Sequence, residues 1–135
     1  MRTHLQFKAD KFVSDDDRNS INPHIRGGKL AEFLSEEFAT LGYDGGIIEE
    51  DWGWMIWLSR DPFEVWLGCA DYEEDEWLVF IQPDKPAVRP IRKFFKKFDT
   101  TEKVEQVASL LESTLLSKAG ATSLIWWSDQ DSGLT

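Results

Sequence analysis

A single cysteine, Cys69, allows no internal disulfide and no multi-cysteine zinc cluster. Only two histidines, His4 and His24, are present, with neither HxH nor HExxH spacing. No zinc or iron site is therefore expected, and the metal and cofactor sets are read as none. No apolar run approaches the roughly 20 residues of a membrane helix, and no charged-then-apolar leader opens the chain. The expected address is cytoplasmic, with no membrane partner. Basic residues are scarce, 15 Lys and Arg against 25 Asp and Glu, a net charge of -10. A field of that sign repels phosphate backbones, so nucleic acid is not expected as a partner and a basic protein is favoured.

What is present suits one folded unit. The 135 residues, 41% apolar and 30% charged, fit a single domain over 1–135, with 129–135 expected to fray. Leu5, Phe7 and Ala9 alternate with Gln6 and Lys8, the period of a half-buried strand. Asn22-Pro23 reads as a cap and first helical residue, but Gly27-Gly28 weakens any helix there, so the secure helix starts at Lys29. Leu30, Phe33, Leu34, Phe38 and Leu41 form its apolar stripe, and Gly42 sits where a C-terminal glycine belongs.

From 45 to 82 the texture is β. Three strands are expected, over 47–59, 63–70 and 77–82, joined by short links as an antiparallel meander. Pro83, Pro86 and Pro90 stop the sheet. Asp99 and Glu102 have capping-box spacing for a second helix, whose face carries Val104, Val107, Leu111 and Leu115. Residues 123–127 read as a last strand or a packed tail. The predicted order is β-α-β-β-β-α-β, an α+β fold with a mostly antiparallel sheet and two helices packed mainly on one face.

Alternation gives the meander two apolar faces. One collects Trp52, Trp54, Ile56, Leu58, Phe63, Val65, Leu67, Trp77, Val79 and Ile81, which the helices can cover. The other carries Met55, Trp57, Trp66, Leu78 and Phe80, interrupted by Gly53, Gly68 and Ala70. Small residues beside Trp57 and Trp66 predict a hollow with aromatic walls, and an uncovered apolar face predicts association. The competing reading has helices or the Trp126-Trp127 tail covering that face.

Charge is segregated as well. Asp71, Glu73, Glu74, Asp75 and Glu76 stand between two strands, and Glu49, Glu50 and Asp51 near the start of the meander. Arg89, Arg92, Lys93, Lys96 and Lys97 contain no acid among them; without these five, ten bases face 25 acids, a net -15. The acidic loop reads either as a lure for a basic partner or as a solvated hairpin tip that discourages edge pairing. Phe94, Phe95 and Phe98 interleave with the basic run, the pattern of a single-strand binder or of core anchors flanked by neutralising cations.

Reactive chemistry is sparse. Asp15, Asp17 and Asn19 open a calcium-loop pattern that fails at Ser20 and Arg26, where glycine and glutamate belong. Cys69 in mid-strand reads as a buried structural thiol. Gly27-Gly28-Lys29 matches no phosphate loop, the Glu49 and Asp51 pair is weak grounds for acid–base chemistry, and no GxSxG or SxxK is present. The catalytic set is read as none, and an enzyme is the less favoured class. The preferred expectation is an acidic binding module: the acids of 71–76 would steer a basic protein, and Met55, Trp57, Trp66 and Phe80 would bind it. The alternatives are self-association, or a small-molecule binder or cryptic enzyme using the aromatic hollow. In size, charge and fold class the chain resembles small acidic bacterial α+β proteins, including immunity proteins that neutralise basic toxins. That resemblance implies an immunity- or antitoxin-like role; no motif carries it.

Overall fold

The apolar stripes of both helices lie on one face of a single sheet, as a computed structural model describing residues 2–14, 18–60, 64–73, 75–83 and 100–128 shows. The first alternating stretch is β1 (His4–Lys8), with Leu5 and Phe7 fully buried. A single 3-10 turn, Asp10–Phe12, follows and buries Phe12. The first helix, α1 (Gly28–Thr40), buries Leu30, Ala31, Leu34 and Phe38. It starts after Gly27, whose φ of +130° disfavours any side chain and whose missing Cβ makes room for the Trp54 ring. Asn22 does not cap it; its side-chain oxygen accepts from the His24 amide in a local turn. At the other end Gly42, at φ +97°, donates to the Ala39 carbonyl, and the Tyr43 amide to that of Phe38. Leu41, expected on the buried stripe, caps the helix instead and is exposed.

The expected long strand over 47–59 is two strands. β2 (Ile47–Glu50) turns at Asp51-Trp52 and returns as β3 (Gly53–Ser59) in an antiparallel pair. Gly53 permits the turn: its φ is +154°, and a Cβ there would collide with the Cys69 carbonyl oxygen of the neighbouring strand. The alternation Trp52-Trp54-Ile56-Leu58 runs unbroken through the reversal, and so conceals it.

β4 (Val65–Glu73) and β5 (Glu76–Pro83) complete the meander, then α2 (Thr100–Lys118) and β6 (Thr122–Trp127) follow. The sheet order is β2-β3-β4-β5-β1-β6, and every neighbouring pair is antiparallel. The fold is thus α+β with one strand more than expected. α1 packs on β3 and α2 on β5, both on the face that carries Ile56, Leu67, Val79 and Leu5. Trp77, fully buried there, donates its indole N–H to the Ala9 carbonyl at 3.0 Å. Phe63, Asp99, the basic run 89–97 and the expected frayed end 129–135 lie outside the described residues.

Candidate functional site

The face of the sheet away from the helices presents the even-numbered positions of β4, β5 and β1 and the odd-numbered ones of β3. The expected residues come together there: Met55 lies beside Gly68, Trp57 beside Trp66, and Gly68 beside Phe80 in the strand registers. Trp66 and Phe80 meet with ring centroids 5.7 Å apart, nearly edge to face. Trp57 carries the Arg60 guanidinium over its ring at 4.2 Å. All four predicted side chains are half-buried, in contrast with the sealed helix face.

Three further rings extend the patch. Trp52 belongs here and not on the helix face, because the β2–β3 turn folds its indole across Trp66 and Phe80, at 6.0 and 5.4 Å. His4 stacks on Phe80 at 5.5 Å and on Trp127 at 4.2 Å, with interplanar angles under 20° in both cases. The result is a continuous row of rings, Trp52, Trp66, Phe80, His4 and Trp127, running from the β2–β3 turn to the far edge strand. His4 and Trp127 were legible in principle. His4 alternates with Leu5 and Phe7, and in adjacent Trp126 and Trp127 only one ring can face the helices.

The expected aromatic hollow does not form at Gly68. The Phe80 ring lies over the glycine so closely that a Cβ would collide with it, so the missing side chain seats a ring instead of leaving a space. A shallow depression of about 520 Å³ does occur elsewhere, lined by Asp10, Val13, Arg26 and Asp75. One polar atom on the open face is left without a partner. The indole N–H of Trp66 is enclosed and has no acceptor among the described residues, an arrangement that costs on the order of 1–3 kcal/mol.

The acidic groups occupy one end of the sheet. The β2–β3 and β4–β5 turns both lie there, which brings Glu50 and Asp51 to the same side as Asp75 and Glu76. β1 delivers Asp10 to that end too, where the Ala9 amide donates to the Asp75 carbonyl. Not all of the expected steering acids are free to act at long range. Asp71 is held by Arg26, whose backbone N–H and Nε both donate to it at 3.2 Å, with both side chains only 19% exposed. It clamps the loop before α1 onto the sheet, beneath a guanidinium that also covers the Trp77 ring. Glu76 is 3.9 Å from Lys8 Nζ. Glu73 ends β4, and Glu74 lies outside the described residues.

Other candidates prove structural. The amide nitrogen of Asn19 donates to the Glu50 and Gly53 carbonyls at 2.7 and 2.9 Å, and its oxygen accepts from Ile21 and Asn22. So saturated, it clasps the β2–β3 hairpin and offers nothing to a cation; Asp15 and Asp17 lie outside the described residues. Glu49 accepts from the Ser20 amide and hydroxyl, while Asp51 sits in the turn beyond the strand. Cys69 is fully buried, and burial pushes its thiol far above the ordinary range, against thiolate formation at neutral pH. Among the described residues no three His, Cys, Asp or Glu side chains group closely enough to hold a metal ion, and no helix is long and apolar enough to cross a membrane.

Comparison with protein-family models, with curated proteins and with solved structures finds no match. The functional reading therefore rests on the chain's own residues.

Proposed function

We propose that this chain is a non-enzymatic binding module that docks a basic protein on the open face of its sheet, an immunity- or antitoxin-like role being the most concrete form. The observation that carries the reading is the row of half-buried rings from Trp52 to Trp127, together with Met55 and Trp57, with acids gathered at one end of the same sheet. Aromatic side chains give large contact area for little lost rotamer freedom, and they dominate binding energy where they cluster. Trp66 adds an enclosed donor without an acceptor, which a partner's carbonyl or carboxylate would satisfy if docking parted the rings around it. Glu50, Asp51 and Asp75 would act at longer range, raising the association rate with a positively charged surface and fixing its orientation. Asp71 contributes little to that steering, since Arg26 neutralises it.

The test uses the whole chain as bait in extracts of its host, wild type beside Trp57→Ala and Trp66→Ala. The reading expects a basic protein that the wild type retains and both variants lose by about tenfold or more in affinity. Retention by all three baits would refute docking on this face. With the partner in hand, reversing Glu50, Asp51 and Asp75 to lysine should slow association about tenfold at low salt and much less at high salt. An unchanged rate at low salt would remove the steering role and leave the aromatic contact standing.

A further inference from the structure

Trp52 joins the row of rings from a turn at the edge of the sheet. β2 is an edge strand of four residues, and among the described residues it pairs with β3 alone. The turn, Asp51-Trp52, lies between the paired residues Glu50 and Gly53. A short hairpin at a sheet edge has little stability of its own and is among the first parts of a fold to open. The Trp52 indole meets Trp66 and Phe80 through tilted ring contacts, which constrain direction less tightly than hydrogen bonds do.

The 18–22 loop supplies the direction that the hairpin lacks. Asn19 is buried, and its amide nitrogen donates to the Glu50 and Gly53 carbonyls at 2.7 and 2.9 Å, one on each strand of the turn. Its side-chain oxygen accepts from the Ile21 and Asn22 amides, and its backbone N–H donates to the Ile25 carbonyl, so the loop that carries it is itself fixed. Only a side-chain amide offers two donors and a doubly accepting oxygen together; a carboxylate has no donor and a hydroxyl has one. Asn22 adds a bond to the Asp51 carbonyl at 3.1 Å, and Ser20 bonds the Glu49 carboxylate. The loop thus grips Glu49, Glu50, Asp51 and Gly53, the residues on either side of Trp52. A buried polar group with all its bonds made favours one arrangement, where ring packing alone allows several.

We infer that Asn19 is the positioning residue of the open face: its grip on both strands of the turn sets the Trp52 indole against Trp66 and Phe80, and so completes the surface that a basic protein meets. Asn19 makes no contact with that protein and acts through Trp52. The same grip fixes the backbone of Glu50 and Asp51, so the ring and the steering acids are presented together. The functional part of this inference rests on the docking reading; the placement of Trp52 is a property of the free chain.

The indole N–H resonance of Trp66 in the whole chain, assigned by its loss in Trp66→Phe, reads the placement, because a neighbouring ring shifts it. Asn19→Asp keeps the acceptor for the Ile21 and Asn22 amides but removes both donors and sets a charge against two carbonyl oxygens. It should move the Trp66 resonance as far as Trp52→Ala does, and no further in a chain that already carries Trp52→Ala. A folded Asn19→Asp that leaves the resonance in place, or that moves it equally when Trp52 is absent, would overturn the inference. Should circular dichroism show Asn19→Asp unfolded, Asn22→Ala removes only the exposed bond to the turn and should give a smaller shift in the same direction; no shift would overturn the inference. Against the basic protein that the wild-type bait retains, Asn19→Asp and Trp52→Ala should each lower affinity about fivefold, and together no more than either alone. Additive losses would show that Asn19 does not act through Trp52. If no basic protein is retained the docking reading fails, and the resonance still decides whether Asn19 places the ring.

Discussion

The two faces of this sheet are built from the same strands and nearly the same residue types, yet they end in different states. On the helix face Ile56, Leu67, Cys69, Val79 and Trp77 are sealed by α1 and α2. On the other, Met55, Trp66, Leu78 and Phe80 come from the very next positions and remain half-buried, with Trp66 and Phe80 set ring against ring. Apolar content alone does not make a core. A core needs a second layer, and the two helices of the described structure both lie on one side. The open face compensates by packing ring on ring: Trp52 folds down from its turn and Phe80 fills the gap above Gly68. That lowers its exposed area while leaving its rings half-buried.

The sharpest way to break this comparison is at the turn that joins the faces. Gly53→Ala must leave a backbone region reserved for glycine and drive a methyl group into the Cys69 carbonyl, so thermal or urea unfolding should show a loss of about 3 kcal/mol or more. A variant within about 1 kcal/mol of wild type would mean the hairpin re-forms without that contact. Next comes a matched pair on neighbouring positions. Leu67→Ala opens a cavity in the sealed face and should cost about 3 kcal/mol, whereas Met55→Ala on the open face should cost about 1 kcal/mol or less. Equal losses would show that the open face is covered as well as the other.

Gly68→Ala should fall between these, at about 1–2 kcal/mol, because the obstacle is the Phe80 ring, which can swing aside where a carbonyl cannot. Its near-ultraviolet circular dichroism should change more than its stability, reporting the disturbed Trp52, Trp66 and Phe80 contacts; an unaltered spectrum would mean the ring already stands clear.

The smallest effect is electrostatic. Hydrogen bonds from the Arg2 backbone and guanidinium hold the Glu105 carboxyl below its ordinary pKa. A lowered folded-state pKa means this stability is complete above the unfolded value near 4.3 and is lost as pH falls through the folded one. With both side chains a third or more exposed, solvent screening reduces it to a few tenths of a kcal/mol, about 0.3. Glu105→Gln should flatten the acid limb of the stability curve by that amount, and an identical curve in the variant would show the pair to be idle.

Much of this was readable along the chain. The periods of 2 and 3.6 marked β1, the meander and both helices, and they assigned Met55, Trp57, Trp66 and Phe80 to a shared face. The β2–β3 reversal was hidden because Trp52 continues the alternation of Trp54 and Ile56, and a turn residue obeys no face rule. Asp71 was grouped with the free acids because its partner, Arg26, is remote in sequence and arrives only through the loop before α1. The hollow at Gly68 was expected because a missing side chain is visible in a sequence, while the ring that fills it stands on the neighbouring strand.

Local patterning by itself fixed both helices, most of the strands and their apolar sides, and the net negative charge, since those depend on residue type and spacing. Which side the helices cover, that Trp52 and His4 join the aromatic row, and that both acidic turns meet at one end were decided by the folded chain. Those properties depend on contacts between residues far apart in sequence, and only strand order and register bring such residues together.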